Sequence, residues 1–262
     1  MTTNSVTDAL KHLTTTFAVK DIMTPGARLT VGHDAESAAI ASTSHPDFTV
    51  IPIKKDGVLC SYFERDSRET KPIDIGDLIS DGTTLLELIE VLRGREFSFV
   101  LTNRRIDGYV HYSDLNHQLV KWTFYVMLGA VERLALDSLR IVDDGAYLEK
   151  RLGPDRFKQI AHMYKRAGDK GRDLLTYLNI ADILKLAIQD GTLSVASESI
   201  RLMRQIRNWT THPFDLPAET GVEHLAAVKA ECLRLLAVRG SGEEIAAGVA
   251  PRAFFSASLP NS

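Results

Sequence analysis

One order of residue patterns occurs twice in the first half of the chain, and this repetition limits the fold more than any other feature. Residues 34–41 suit a small helix, 48–53 form an apolar strand candidate, Lys54-Lys55-Asp56-Gly57 suits a tight turn, and 58–63 suits a returning strand. After a charged link at 64–71 the order returns. Residues 84–92 have helical periodicity, 98–102 suit a strand, 103–107 a turn and 108–111 a second strand. A tandem α/β repeat explains both copies. A further short strand is expected at 28–31, and a short helix near 8–13, within a polar leader.

From residue 119 the period becomes helical. Residues 121–139 place Phe124, Leu128, Val131, Leu134 and Ala135 on one stripe, and further helices are expected at 154–167, 174–189, 197–211 and 220–238. Pro154 suits a first helical turn, while Pro213 blocks simple continuation of the helix before it. The division is then a leader (1–16), a repeated α/β domain (17–118), an all-α helical domain (119–240) and a tail rich in Ala, Gly, Ser and Pro (241–262). At 262 residues the chain is long enough for two modest cores.

Charge separates the halves. Residues 1–118 carry 12 Lys/Arg against 17 Asp/Glu, and residues 119–240 carry 18 against 15, so the second half is the better partner for a polyanion. Arg156, Lys158, Lys165, Arg166, Lys170 and Arg172 concentrate that charge, although long cationic side chains also cover ordinary helix faces. With Cys60 and Cys232 alone, neither a disulfide framework nor a thiolate metal cluster is indicated. No apolar run approaches a membrane span, and the opening Met1-Thr2-Thr3-Asn4-Ser5 lacks a secretory pattern, so a cytoplasmic protein is expected. No compact set of His, Asp, Glu and Cys has metal-ligand spacing; Asp143 and Asp144 suit a solvated connection.

Val19-Lys20-Asp21-Ile22-Met23-Thr24 and Gly108-Tyr109-Val110-His111-Tyr112-Ser113-Asp114-Leu115 resemble the opening of the first repeat and the strand-to-helix segment of the second repeat in tandem CBS domains. The resemblance covers roughly residues 17–118. It implies a regulatory module with an adenine nucleotide bound between paired repeats. Asp114 would accept hydrogen bonds from ribose hydroxyls, with His111 beside it where the family often has Thr or Ser. In the first repeat, Phe63 takes the position expected for the ribose acid. Asp114 also suits a helix cap and His111 a packed or solvated role.

The segment Arg207-Asn208-Trp209-Thr210-Thr211-His212, followed by Pro213, puts a permanent cation and a titratable imidazole where an amphipathic helix stops. On a continuous helix the two would face apart, and termination near Pro213 could reorient His212 toward Arg207. The motif and the helices around it resemble the HEPN family, small helical bundles that include metal-independent endoribonucleases. The resemblance implies a homodimer that pools two such motifs. Arg207 would hold the scissile phosphate, Asn208 would orient phosphate or Arg207, and His212 would move protons at the RNA 2'-hydroxyl or the leaving oxygen. Products would end in 2',3'-cyclic phosphate and 5'-hydroxyl groups. Trp209 suits base stacking or core packing. Two other classes stay open: a non-catalytic regulatory scaffold, and an RNA-binding module without turnover.

Overall fold

A computed structural model describes residues 15–139, 145–167 and 174–240. The expected leader helix, the tail, Asp143, Asp144, Lys170 and Arg172 lie outside the described residues. Contacts group the chain into two units. Among the described residues, one contains those up to Lys121 together with Asp215–Ala226, and the other contains Trp122–Phe214 and those from Ala227. Residues 215–226, which the expected division at 118 places in the helical domain, group by contacts with the first unit. The physical reason is burial of Leu216, Val222 and Leu225, joined by a bond from the Leu216 N–H to Asn116 Oδ1 (2.9 Å) and an Arg93–Glu223 ion pair (3.0 Å).

The first unit is mixed α/β. Helix α1 (Ala35–Ser44) is followed by β2 (Val50–Lys55) and β3 (Val58–Glu64), and α2 (Leu85–Arg93) by β6 (Phe97–Thr102) and β7 (Arg105–His111). Both helices start on side-chain caps, Asp34 Oδ1 accepting from the Ser37 N–H and Thr84 forming a reciprocal box with Glu87. Each hairpin closes on two residues of positive φ, Asp56-Gly57 and Asn103-Arg104, the geometry that matches the twist of paired strands.

The two hairpins share one register. Lys55 pairs with Val58 and Thr102 with Arg105; each ladder then skips one residue, Cys60 or Asp107, before Ile53 meets Ser61 and Val100 meets Gly108. Tyr62 and Tyr109 are thereby equivalent, as are Glu64 and His111. The lead-in strands are exchanged. β1 (Thr24–Pro25), ahead of the first repeat, pairs with β7, whereas β4 (Glu69–Pro72), ahead of the second, pairs with β3. With β5 (Leu78–Ser80) parallel to β6, the sheets read β1-β7-β6-β5 and β2-β3-β4. Val50, Tyr62 and Phe99 are buried together, with Phe97 and Tyr109 packed against them, and Ala38, Ile51, Ile53 and Phe63 form a second cluster.

The second unit contains helices and no strand among the described residues. α3 (Gln118–Ser138) enters it from Trp122, followed by α4 (Gly145–Leu152), α5 (Pro154–Ala167), α6 (Ile180–Gln189) and α7 (Ser197–Thr211); α8 (Ala218–Gly240) rejoins it from Ala227. The helix expected over 174–189 is broken into a 3-10 turn (Leu174–Tyr177) and α6, because the Asn179 side chain accepts the Asp182 N–H and starts a new helix. The buried stripe of α3 includes Phe124, Met127, Leu128 and Val131, and meets Trp209 of α7 through Phe124.

Candidate functional site

A cleft of about 440 Å³ lies in the first unit. One wall is the lead-in segment around Thr24 and Arg28, another is the start of β2 at Thr49 and Val50, and the third is the end of β7 running into the 3-10 turn Tyr112–Asn116. His111 and Asp114, singled out from the sequence, both line it. Local geometry explains their placement: Asp114 Oδ2 accepts the His111 backbone N–H (2.8 Å), while His111 Nδ1 faces the Ser113 hydroxyl (2.9 Å) and accepts the Ser113 N–H (3.3 Å). Acceptance at Nδ1 assigns the ring proton to Nε2. The capping role expected for Asp114 is thus observed in the same residue that faces the cleft.

Burial governs the electrostatics. It raises the Asp114 carboxyl above its ordinary range, opposed by the His111 N–H and by His117, and it lowers the His111 imidazole. The Tyr109 phenol is also pushed up, mainly by burial and then by the Asp114 charge. The cleft is therefore lined by an imidazole that can donate through Nε2 and by a carboxyl that can accept, a set that matches vicinal hydroxyls.

The corresponding place in the other repeat is built differently. By the shared register Lys71 replaces Thr24, Glu64 replaces His111, and Phe97 and Phe99 replace Val50 and Pro52. Lys71 Nζ and Ser67 Oγ each donate to Glu64 Oε2 at 2.6 Å, and Phe97 packs edge-on to Tyr62 at 5.4 Å between ring centroids. Polar groups there satisfy one another, and aromatic rings stand where the first cleft has small residues. The same register corrects the position of Phe63. It is equivalent to Val110 and packs with Ala38, Ile51 and Ile53, while Ser67, three residues after Glu64, takes the place of Asp114.

In the second unit, α7 stops at Thr211. His212 is extended (φ −119°, ψ 153°), its N–H still donating to the Asn208 carbonyl at 3.1 Å. Its exposed ring stacks with Phe214 at 6.3 Å. Asn208 is exposed as well, whereas Trp209 is fully buried against Phe124, so core packing and not base stacking accounts for the indole. Arg207 turns inward: Nε donates to Glu132 Oε1 at 3.3 Å, its guanidinium carbon lies 4.0 Å from the Tyr125 ring centroid, and Nη1 is buried without a hydrogen bond. Tyr125 and Glu132 were not assigned to the site from sequence. Their signal was spacing: seven residues on α3 place them two turns apart on one face.

The basic concentration is partly consumed by structure. Arg156 Nη2 is 2.6 Å from Asp182 Oδ2, while Lys158, Lys165 and Arg166 are exposed on α5. Among the described residues, no three of His, Cys, Asp and Glu group as metal ligands, and no helix is long and apolar enough to cross a membrane.

No protein-family model and no curated protein matches the chain. Among solved structures, it is similar to the CBS domain of a bacterial CNNM/CorC family Mg2+ transporter in complex with ATP, with a TM-score of 0.35 and 14% identity over 45% of this chain and 96% of that one. A second structure of that domain gives 0.35 and 13% over 45% and 84%, and a third, with the inhibitor IGN95a, gives 0.34 and 13% over 45% and 85%. Likeness of this size does not assign the chain to a family.

Proposed function

We propose that the protein is a nucleotide-regulated, metal-independent endoribonuclease of the cytoplasm that works as a homodimer. Its first unit acts as a CBS-type sensor, with an adenine nucleotide as regulatory ligand held by Asp114 and His111. Its second unit acts as a HEPN-like helical domain. The supporting observation is the exit of α7, where His212 leaves the helical path into solvent five residues after Arg207. In the proposed reaction, the RNA 2'-hydroxyl loses its proton to an imidazole and attacks the adjacent phosphorus. Arg207 neutralises the phosphate, Asn208 orients it, and a protonated imidazole from the second copy supplies the proton to the leaving 5'-oxygen. Exposed Lys158, Lys165 and Arg166 add attraction for the polyanion.

The test is incubation of wild type, Arg207→Ala and His212→Ala with labelled RNA and matched DNA in chelator, with and without ATP. New 2',3'-cyclic phosphate ends from RNA alone, lost in both variants while their fold and dimerisation persist, support the proposal. The engagement of Arg207 by Glu132 and Tyr125 favours a second reading, a scaffold or RNA-binding protein without turnover. Salt-sensitive RNA retention that survives His212→Ala without new ends selects it.

A further inference from the structure

The 3-10 turn Tyr112–Asn116 is a thin wall with a cavity on each side. Tyr112 and Ser113 line the 440 Å³ cleft and also a second cavity of about 240 Å³, whose opposite wall includes Leu216, Pro217 and Val222. The turn is tied at both ends. At its start stand the His111 and Asp114 caps already described; at its end Asn116 Oδ1 accepts the backbone N–H of Leu216 at 2.9 Å. Leu216 is buried, and a Cβ on Gly221 would lie 3.0 Å from Leu216 Cβ, so the far side is closely packed. Leu216 follows His212 by four residues.

We propose that residues 112–116 form a transmission strap that carries the state of the cleft to the exit of α7. A ligand that bonds to His111 and Asp114 competes for the groups that cap the strap. Loosening or tightening the cap is carried along the turn through Asp114 itself, whose side chain accepts the His111 N–H and whose carbonyl accepts the His117 N–H at 2.9 Å just past Asn116. Asn116 passes that displacement to the Leu216 backbone, and the short segment 213–215 passes it to His212. Asn116 is therefore a positioning residue for regulation, with no contact to ligand or substrate required. The proposal rests on the nucleotide reading for the identity of the ligand, but not for the coupling itself.

Amide exchange at Leu216, measured by NMR or by peptides spanning 214–222, tests it in the full chain. Asn116→Ala is expected to speed exchange about five- to tenfold, the effect of one lost hydrogen bond, and Asn116→Asp, which keeps the acceptor, to restore protection. Asp114→Ala is expected to speed exchange at the same amide, and the double variant Asp114→Ala/Asn116→Ala to match Asn116→Ala alone. ATP, with binding measured separately by calorimetry, is expected to change exchange at Leu216 in wild type and not in Asn116→Ala. Unchanged Leu216 exchange in Asp114→Ala, additive effects in the double variant, or bound ATP without any effect at Leu216 would overturn the strap. If ATP does not bind, the nucleotide reading fails, while the variant comparison still decides the coupling.

Discussion

Glu132→Gln separates the two roles of Arg207 because it changes charge while preserving shape and a hydrogen-bond acceptor. The pair spans 3.3 Å with side chains only 23% and 21% exposed. At an effective dielectric constant of about 20 their direct attraction is about 5 kcal/mol, most of it offset by desolvation. A neutral amide retains the Nε contact at roughly half its strength, so Glu132→Gln should lower the stability of the helical unit by about 1–2 kcal/mol. The Tyr125 ring, 4.0 Å from the guanidinium, contributes about 1 kcal/mol and keeps the side chain in place. RNA binding should move the other way. Glu132 and a phosphate compete for one cation, and removing the competitor should tighten RNA by about tenfold, equivalent to about 1.4 kcal/mol. Urea unfolding followed by tryptophan fluorescence reads the first effect, since Trp122 and Trp209 both belong to this unit. Anisotropy of a labelled RNA reads the second, with the difference shrinking at high salt. Lower stability with unchanged or weaker RNA binding would refute the assignment of Arg207 to phosphate.

Nucleotide should bind at one site per chain and be lost in Asp114→Asn, as calorimetry measures; a stoichiometry of two would contradict the contrast between the clefts. Because burial raises the Asp114 carboxyl above its ordinary 3.8, its ionisation opposes folding: the group's contribution is present below that value and is lost as pH rises through the folded one. Ribose binding needs the ionised form, so affinity should fall as pH drops from about 7 to about 4, and a flat profile would remove the carboxylate from recognition. Trp209→Ala should cost about 3–5 kcal/mol in urea unfolding, and a loss of RNA binding without destabilisation would contradict its core role. The Cys232 thiol, pushed up to about 12 by burial and secondarily by Glu231, should resist iodoacetamide in the native protein while exposed Cys60 reacts, as peptide mass spectrometry would show.

Much of the first unit was legible because each hairpin concentrates its signal in adjacent residues. Val50–Lys55 and Val58–Glu64 flank a Gly-containing turn, and Thr84 with Glu87 spells a cap in four positions. β4 carries no sequence signal, since Glu-Thr-Lys-Pro has no apolar alternation; it is an edge strand ordered by its partner β3. Phe63 falls at the ribose-acid position only when Gly57 is matched to Gly108, whereas the skipped residues Cys60 and Asp107 set the true register. Likewise, His111 and Asp114 carry a local signature, but Thr24 and Arg28 reach the same cleft through pairing with a strand far along the chain. At the other motif, the sequence pattern singles out Arg207 and His212. It could not reveal that the cation is engaged from α3, since side-chain direction depends on packing.

The swapped lead-in strands make the duplication indivisible. A fragment with only one copy would carry a strand whose docking place had been deleted, and would present a bare sheet edge where its sister's strand belongs. Both defects are healed when two such fragments meet, so a halved gene should yield an assembly of paired half-length chains that rebuilds by association what the present polypeptide encloses within itself.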